Sequence, residues 1–283
     1  MNWDNENKRF VFTSLERSLP VYIESIGYSA WELIFTRPEG YPYFHWLQTV
    51  RGEGVFIHSG ERIAMTPGKG VLLTPFTPHS YFPASDQWST VYITFGGAAV
   101  DPILDSLDMN MSAVYTDTQL SISDLIGLML QKVDVDSEFS RLESSKELYH
   151  FLIMLKKFGM RNDRPSLSQT FDKVRPVVQW LKRNYSNNIG LSEMAEHAGM
   201  SVSYLSELFQ QAFGMSPYSF LIQLRIRESK HIMITNPNLP LKEVAARTGF
   251  NDVSHFVATF RKKEGVTPAK YRNLYLSSEG ETS

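Results

Sequence analysis

From Leu191 onward, apolar residues recur every three or four positions, and they do so twice in the same order. The segment LSEMAEHAGMSVSYLSELFQQAFGMSP, from Leu191 to Pro217, is answered by LKEVAARTGFNDVSHFVATFRKKEGVTP, from Leu241 to Pro268. Leu191, Ala195, Gly199, Phe209 and Pro217 correspond to Leu241, Ala245, Gly249, Phe260 and Pro268, with an offset of 50 residues up to the glycine and 51 after it. In the first copy Leu191, Met194, Ala195 and Ala198 make one apolar helix face. Gly199 ends that helix, because a residue just past a helix terminus commonly needs positive φ, and Val202, Leu205, Leu208 and Phe209 start another. The second copy repeats this with Leu241, Val244, Ala245, then Gly249, then Val253, Phe256, Val257 and Phe260. Two helices joined by a short glycine-containing turn form a helix-turn-helix unit, and the small Ala195 lets the helices cross closely. Ser216-Pro217 and Thr267-Pro268 each read as an N-cap followed by proline at N1, so each unit leads into a further helix. SPYSFLIQLRIRESKHIMITN between the units reads as one helix of about 18 residues, roughly 27 Å long. That is comparable with the ~34 Å between successive major-groove faces of a DNA duplex, so two recognition helices could enter adjacent grooves.

Earlier in the chain the pattern is strand-like. WELIFT, FHWLQTV, GVFIHS, ERIAMT, GVLLTP and STVYITF are short β-rich runs separated by glycine and proline turns, which predicts an all-β sandwich or small barrel over residues 21–99. Residues 100–135 and 138–159 turn helical, and Leu148, Phe151, Leu152, Leu155 and Phe158 form a stripe in the second stretch. Arg161-Asn162-Asp163-Arg164-Pro165-Ser166 breaks the pattern. The resulting division is an arm over 1–20, a barrel over 21–99, a helical segment over 100–160, a linker over 161–170, a helical domain over 171–274 with units at 191–212 and 241–263, and a tail over 275–283.

A length of 283 residues suits two domains, and 42% hydrophobic residues can fill two cores. The chain has no cysteine, which excludes disulfides, thiolate metal sites and a cysteine nucleophile. No run of ~18 apolar residues and no apolar leader occur, so the expectation is a soluble, cytoplasmic protein without a membrane partner. The net charge of −2 hides an asymmetry: residues 1–170 carry 14 Lys and Arg against 20 Asp and Glu, and residues 171–283 carry 14 against 10. An acidic half joined to a basic half suits a sensor attached to a phosphate-binding module.

The region Phe171 to Tyr271, with Gly249-Phe250, Phe256, Phe260, Arg261-Lys262, Gly265, Thr267-Pro268 and Tyr271-Arg272, resembles the DNA-binding domain of the AraC family of bacterial transcription regulators. The resemblance implies that residues 202–212 and 252–263 enter the major groove of double-stranded DNA. The solvent-facing positions there are Ser203, Tyr204, Ser206 and Glu207 in the first helix and Val253, Ser254, His255 and Ala258 in the second. Serine reads bases loosely and glutamate accepts from cytosine. Arg261, Lys262 and Lys263 at the second helix end suit phosphate contacts, which fix register without reading sequence.

RGEGVFIHSGERIAMTPGKGVLLTPFTPHSY, with Pro67-Gly68, Pro75 and Pro78-His79, is similar to the cupin-like barrel of that family, which implies a cupin-like all-β N-terminal domain beside the all-α C-terminal one. Cupins often hold a metal, but the His-x-His pair and following Glu are missing, and His45, His58 and His79 are scattered in sequence; the expectation is no metal and no cofactor. The stretch from Arg37-Pro38 to Gly52-Glu53-Gly54 most resembles arabinose-responsive members, which implies a sugar bound by Arg37 and Tyr81, with Thr90 and Tyr92 inward, Trp88 at the edge and Tyr22 on the preceding segment. Arginine donates to hydroxyls in a fixed fork, and tyrosine offers a ring face and a polar tip. The family parallel makes 138–159 a helix pair joining a homodimer and gives the arm, with Phe10, Val11 and Phe12, a relay role. The expected function is a non-enzymatic, sugar-responsive DNA-binding regulator. A barrel serving a non-sugar effector or dimerisation alone, and a cupin-type sugar enzyme, are the alternatives.

Overall fold

Strand β9 (Ser89–Gly96) belongs to two cores at once. Val91, Ile93 and Phe95 point into one hydrophobic cluster, whereas Thr90, Tyr92 and Thr94 alternate with them onto the opposite face, the period of two that a pleated strand enforces. The computed structural model describes residues 6–12, 18–119, 121–132, 138–161 and 164–276. These form two compact units, Met1–Ser168 and Gln169–Ser283.

The first unit holds β1 (Lys8–Val11), β2 (Tyr22–Ser29), β3 (Phe35–Arg37), β4 (Phe44–Arg51), β5 (Gly54–His58), β6 (Glu61–Met65), β7 (Lys69–Leu73), β8 (His79–Pro83) and β9, then α1 (Val100–Ser106), β10 (Ala113–Thr116), α2 (Ser121–Lys132), α3 (Glu138–Phe158) and β11 (Met160–Arg161). A seven-stranded sheet runs β1-β2-β9-β4-β7-β10-β11 and a four-stranded sheet runs β3-β8-β5-β6. Leu47, Phe56, Met65, Val71, Leu73, Tyr81 and Trp88 fill the space between the sheets. On its other face the larger sheet carries Trp46, Ile93 and Phe95 against Ile122, Ile126, Leu148 and Phe151 of α2 and α3. Both faces of that sheet are therefore buried, which is why FHWLQTV is nearly all buried instead of alternating with solvent.

Several expectations need correction. WELIFT is not a strand: only Phe35–Arg37 pairs, with β8, and Leu33 and Ile34 are exposed. Residues 100–135 are not helical throughout, because Ala113–Thr116 adds strand β10 to β7. Leu148, Phe151, Leu152 and Leu155 are fully buried in this chain's own core, with Phe151 at 5.9 Å from Trp46 and 6.3 Å from Phe95. That stripe is core and cannot face another subunit. Part of the expected arm, Lys8–Val11, is a strand paired with β2. The expected linker ends early, because α4 (Leu167–Asn184) begins inside it. Residues 1–5, 13–17, 120, 133–137, 162–163 and 277–283, parts of the expected arm, helical segment, linker and tail, lie outside the described residues.

The second unit contains α4, α5 (Leu191–Ala198), α6 (Val202–Phe213), α7 (Pro217–Thr235), α8 (Leu241–Arg247), α9 (Val253–Glu264) and α10 (Pro268–Leu276). Ser201, Ser216 and Asp252 cap α6, α7 and α9 by accepting from the N–H of Tyr204, Ser219 and His255. Gly199 takes φ +62° past α5, as its position demands. Helix α7 serves both helix-turn-helix units: Leu221 and Leu224 enter the first core, and Ile222, Ile226 and Met233 enter the second. No helix among the described residues is long and apolar enough to cross a membrane.

Because Phe151 joins α3 to the sheet, Phe151→Ala is expected to cost the barrel unit about 3–5 kcal/mol. Denaturant unfolding of the full chain checks this, and a loss below ~1 kcal/mol would contradict the packing described.

Candidate ligand cavity and nucleic-acid interface

Between the two sheets of the first unit lies a cavity of about 250 Å³ whose lining includes Arg9, Glu24, Glu32, Arg37, Tyr41, His45, His79, Tyr81 and Tyr92. Strand period puts them there: Tyr92 stands opposite Leu47 on β4 and Gly27 on β2, and Thr94 stands opposite His45. Gly27 is required by space, since a Cβ there would lie 2.5 Å from the Tyr92 ring. On the smaller sheet Phe35 stacks on Tyr81 at 5.4 Å, and the Arg37 guanidinium sits 4.7 Å from the Phe35 ring and 4.2 Å from that of Tyr41. Arg37 Nη1 is buried and has no hydrogen-bond partner. Such a donor is rare in a folded protein and costs free energy until something accepts from it.

Of the expected ligand residues, Arg37, Tyr81 and Tyr92 share this cavity. Thr90 stands one step behind, its hydroxyl donating to Glu32, which lines the cavity. Trp88 is not at an edge: it is buried beneath Tyr81 at 5.7 Å, its indole N–H donating to Thr49. Tyr22 does not line the cavity: it stands opposite Gly96 at the end of β2 and packs 6.3 Å from Tyr43. His45 and His79 are not scattered in space. They stack at 6.4 Å within the cavity wall, His45 Nδ1 meeting the Thr94 hydroxyl at 2.9 Å and His79 Nδ1 the Thr77 carbonyl at 2.8 Å. His58 is paired instead with the Pro78 carbonyl outside the cavity. Among the described residues no three His, Asp or Glu converge as a metal site.

The sequence reading missed Arg9, Glu24, Glu32 and Tyr41. Glu24 accepts from the hydroxyls of Ser25 at 2.6 Å and Tyr41 at 3.1 Å. Burial raises the Glu32 pKa above the usual carboxylate range, opposed by hydrogen bonds from Thr90, the Leu33 N–H and Ser29. Burial also raises the hydroxyl pKa of Tyr81 and of Tyr92. For His45, burial first and then the charges of Arg37 and His79 push the pKa down to about 3, and His79 is lowered chiefly by burial. Both imidazoles are therefore neutral. In the sequence Glu24 is a lone charge within β2 and Glu32 one ahead of β3, and each looks like an ordinary solvated residue.

In the second unit, Ser203, Tyr204 and Glu207 on α6 and Ser254, His255 and Ala258 on α9 are exposed, as are Arg261, Lys262 and Lys263. Val253 is half-buried against the second core. Ser206 is less free than expected, since its hydroxyl donates to the Val202 carbonyl at 2.8 Å. Tyr204 accepts from Lys173 of α4 at 3.0 Å, which adds a cation to this face that the sequence reading did not include. Glu207 accepts from Gln211 at 3.1 Å, and Gln210 and Gln211 extend the exposed face by two amides.

Family models match both units: the AraC-like ligand binding domain over residues 20–152 and a helix-turn-helix domain over residues 194–274. The arabinose operon regulatory protein of Salmonella typhimurium is 26% identical over 88% of this chain and 90% of its own length. The lactose operon transcription activator of Staphylococcus xylosus is 22% identical over 80% of this chain and 82% of its own. Among solved structures, ToxT from Vibrio cholerae is 14% identical and covers 90% of this chain and 96% of its own, with a TM-score of 0.34.

Neutral buried histidines make stability depend on pH. In the unfolded chain they titrate near the ordinary ~6.5, so below that pH protons bind the unfolded state preferentially. As pH falls below ~6.5, His45 is expected to lower stability by about 1.4 kcal/mol per pH unit toward its folded value of about 3, and His79 acts in the same direction, with no such slope above ~pH 6.5. Denaturant midpoints across about pH 5 to 8 check this, and His45→Gln should flatten the acid limb.

Proposed function

The chain belongs to the AraC family of DNA-binding transcription regulators, and on that premise we propose that it answers to a sugar bound between the sheets of its first unit. One observation carries the reading: Arg37, whose Nη1 has no hydrogen-bond partner, lines a cavity together with hydroxyl, carboxyl and imidazole groups and stacked aromatic rings. A molecule dense in hydroxyls supplies acceptors for the arginine, donors for Glu24, Glu32 and the histidines, and C–H faces for Tyr81 and Tyr92. A volume of about 250 Å³ suits a monosaccharide, and the named relative governs an arabinose operon, so pentoses lead the candidates.

The reading includes a homodimer. With the Leu148–Leu155 stripe occupied internally, the apolar surface left on the helices is Phe139, Leu142 and Tyr149 of α3 with Leu128 of α2, and this face is the proposed subunit contact. The sugar acts by binding one arrangement of the paired chains more tightly than another, a coupling typically of ~1–3 kcal/mol. Helices α6 and α9 read DNA through Ser203, Tyr204, Glu207, Ser254, His255 and Ala258, with Arg261, Lys262 and Lys263 on phosphates.

Thermal unfolding of the full chain with pentoses, hexoses and small oligosaccharides tests the effector. A sugar at about 100 times its Kd adds about 2.7 kcal/mol to the first unit and raises its midpoint by several degrees, and Arg37→Ala removes the rise. If no sugar moves the midpoint, the sugar reading fails. For DNA, Arg261→Ala or Lys262→Ala is expected to weaken binding to all sequences alike and to lower the salt slope by ~1, whereas His255→Ala changes the preference among sequences. Binding titrations on several duplexes at graded salt check this, and equal effects from both kinds of variant would overturn the assignment.

A further inference from the structure

Helix α6 carries one charge, and it is negative. In its sequence VSYLSELFQQAF the only charged side chain is Glu207. It is exposed, and among the described residues no lysine or arginine pairs with it. Its carboxylate is held by a neighbour one turn on, since the Gln211 amide donates to Oε1 at 3.1 Å. Lys173, the cation that α4 brings to this face, is engaged with Tyr204, donating to its hydroxyl at 3.0 Å and lying 5.7 Å from its ring centre. Helix α9 is built the opposite way. It ends in Arg261, Lys262 and Lys263, and its single acid, Glu264, accepts from Lys230 at 2.7 Å.

On a helix that lies in the groove of a polyanion, a carboxylate without a cation is repelled by phosphates whatever the sequence. A carboxylate only accepts hydrogen bonds, so it recovers that cost only where a base edge donates. In the major groove guanine presents acceptors, thymine an acceptor and a methyl group, and adenine an amino donor beside an acceptor, whereas cytosine presents its amino donor alone. We infer that Glu207 sets sequence choice in α6, admitting cytosine at one position of the DNA site and rejecting the other bases, with Gln211 as the residue that positions its carboxylate. This rests on the reading of α6 as a DNA-reading helix and deepens it: the side chain that selects the right site weakens binding to every wrong one. The hydrogen bond from Gln211, four residues on, restrains the glutamate before DNA arrives, so less side-chain freedom is lost on binding.

The test is a selection of duplexes from a randomised library by the full chain and by its Glu207→Gln and Gln211→Ala variants. Titrations follow on the selected duplex, on its single-base-pair changes and on a duplex of unrelated sequence. The unaltered chain is expected to enrich cytosine at a position that depends on Glu207, and to prefer it there about ten-fold, equivalent to about 1.4 kcal/mol. Glu207→Gln should abolish that preference yet bind the unrelated duplex several-fold more tightly at low salt, a gain that shrinks as salt screens the charge. A damaged fold would not produce tighter binding. Gln211→Ala keeps the charge, so it should weaken the cytosine preference several-fold and leave affinity for the unrelated duplex unchanged. Cytosine preferences that all survive Glu207→Gln, loss of a preference for some other base instead, or an unrelated duplex bound no more tightly by that variant overturns the inference while the DNA reading stands. A preference that Gln211→Ala leaves intact overturns the positioning role. Enrichment of no sequence by the unaltered chain overturns the inference and the DNA reading together.

Discussion

One buried guanidinium fixes the geometry of the DNA-reading unit. Arg225 projects from the middle of α7, its Nε and Nη2 each 2.7 Å from the carbonyls of Tyr185 and Asn187, just beyond the end of α4. On its other side lies the turn of the second helix-turn-helix, with the Phe250 ring 5.9 Å from the guanidinium carbon. Gly249 in that turn has φ +82°, and a Cβ there would come within 2.8 Å of the Tyr185 carbonyl and 2.9 Å of Arg225. Glycine is thus demanded twice, by torsion and by space. Three segments meet at one side chain, and because α7 also feeds both hydrophobic cores, α6 and α9 are held at a set separation. At 19 residues and 1.5 Å per residue, α7 is about 28 Å long, near the spacing of adjacent grooves.

The barrel solves a different problem with the same material. Strand β9 gives Val91, Ile93 and Phe95 to the helix-covered core and Thr90, Tyr92 and Thr94 to the inter-sheet face. The apolar half of the strand stabilises the unit, which leaves the other half free to be polar. Between the sheets, Leu47, Phe56, Met65, Tyr81 and Trp88 close the space, and the polar side chains border the cavity. Arg225 and Arg37 differ in their surroundings: Arg225 donates to two backbone carbonyls and fixes structure, whereas the Arg37 guanidinium rests on the Phe35 and Tyr41 rings and its Nη1 has no hydrogen-bond partner.

The helical half was legible in the amino-acid order in nearly every respect. Short-range rules specify it: the three-to-four-residue period of Leu205, Leu208 and Phe209, the glycine at 199, and the Ser216-Pro217 and Thr267-Pro268 starts are all local facts that helices obey. The same reading located most barrel strands, and it named Arg37, Tyr81 and Tyr92, which now share one cavity. Relations across the chain were beyond its reach. WELIFT has the composition of a strand, yet Leu33 and Ile34 find no partner strand and lie exposed. The Leu148–Leu155 stripe has the pattern of a helix interface, and only the outer face of the seven-stranded sheet shows what it covers. Arg9, Glu24 and Glu32 look like surface charges until β1 pairs with β2 and the second sheet closes over them. Helical periodicity is written between neighbours in sequence. Burial of a strand face, and the company an ionisable group keeps, depend on residues tens of positions away, so they were settled only when the folded chain brought those residues together.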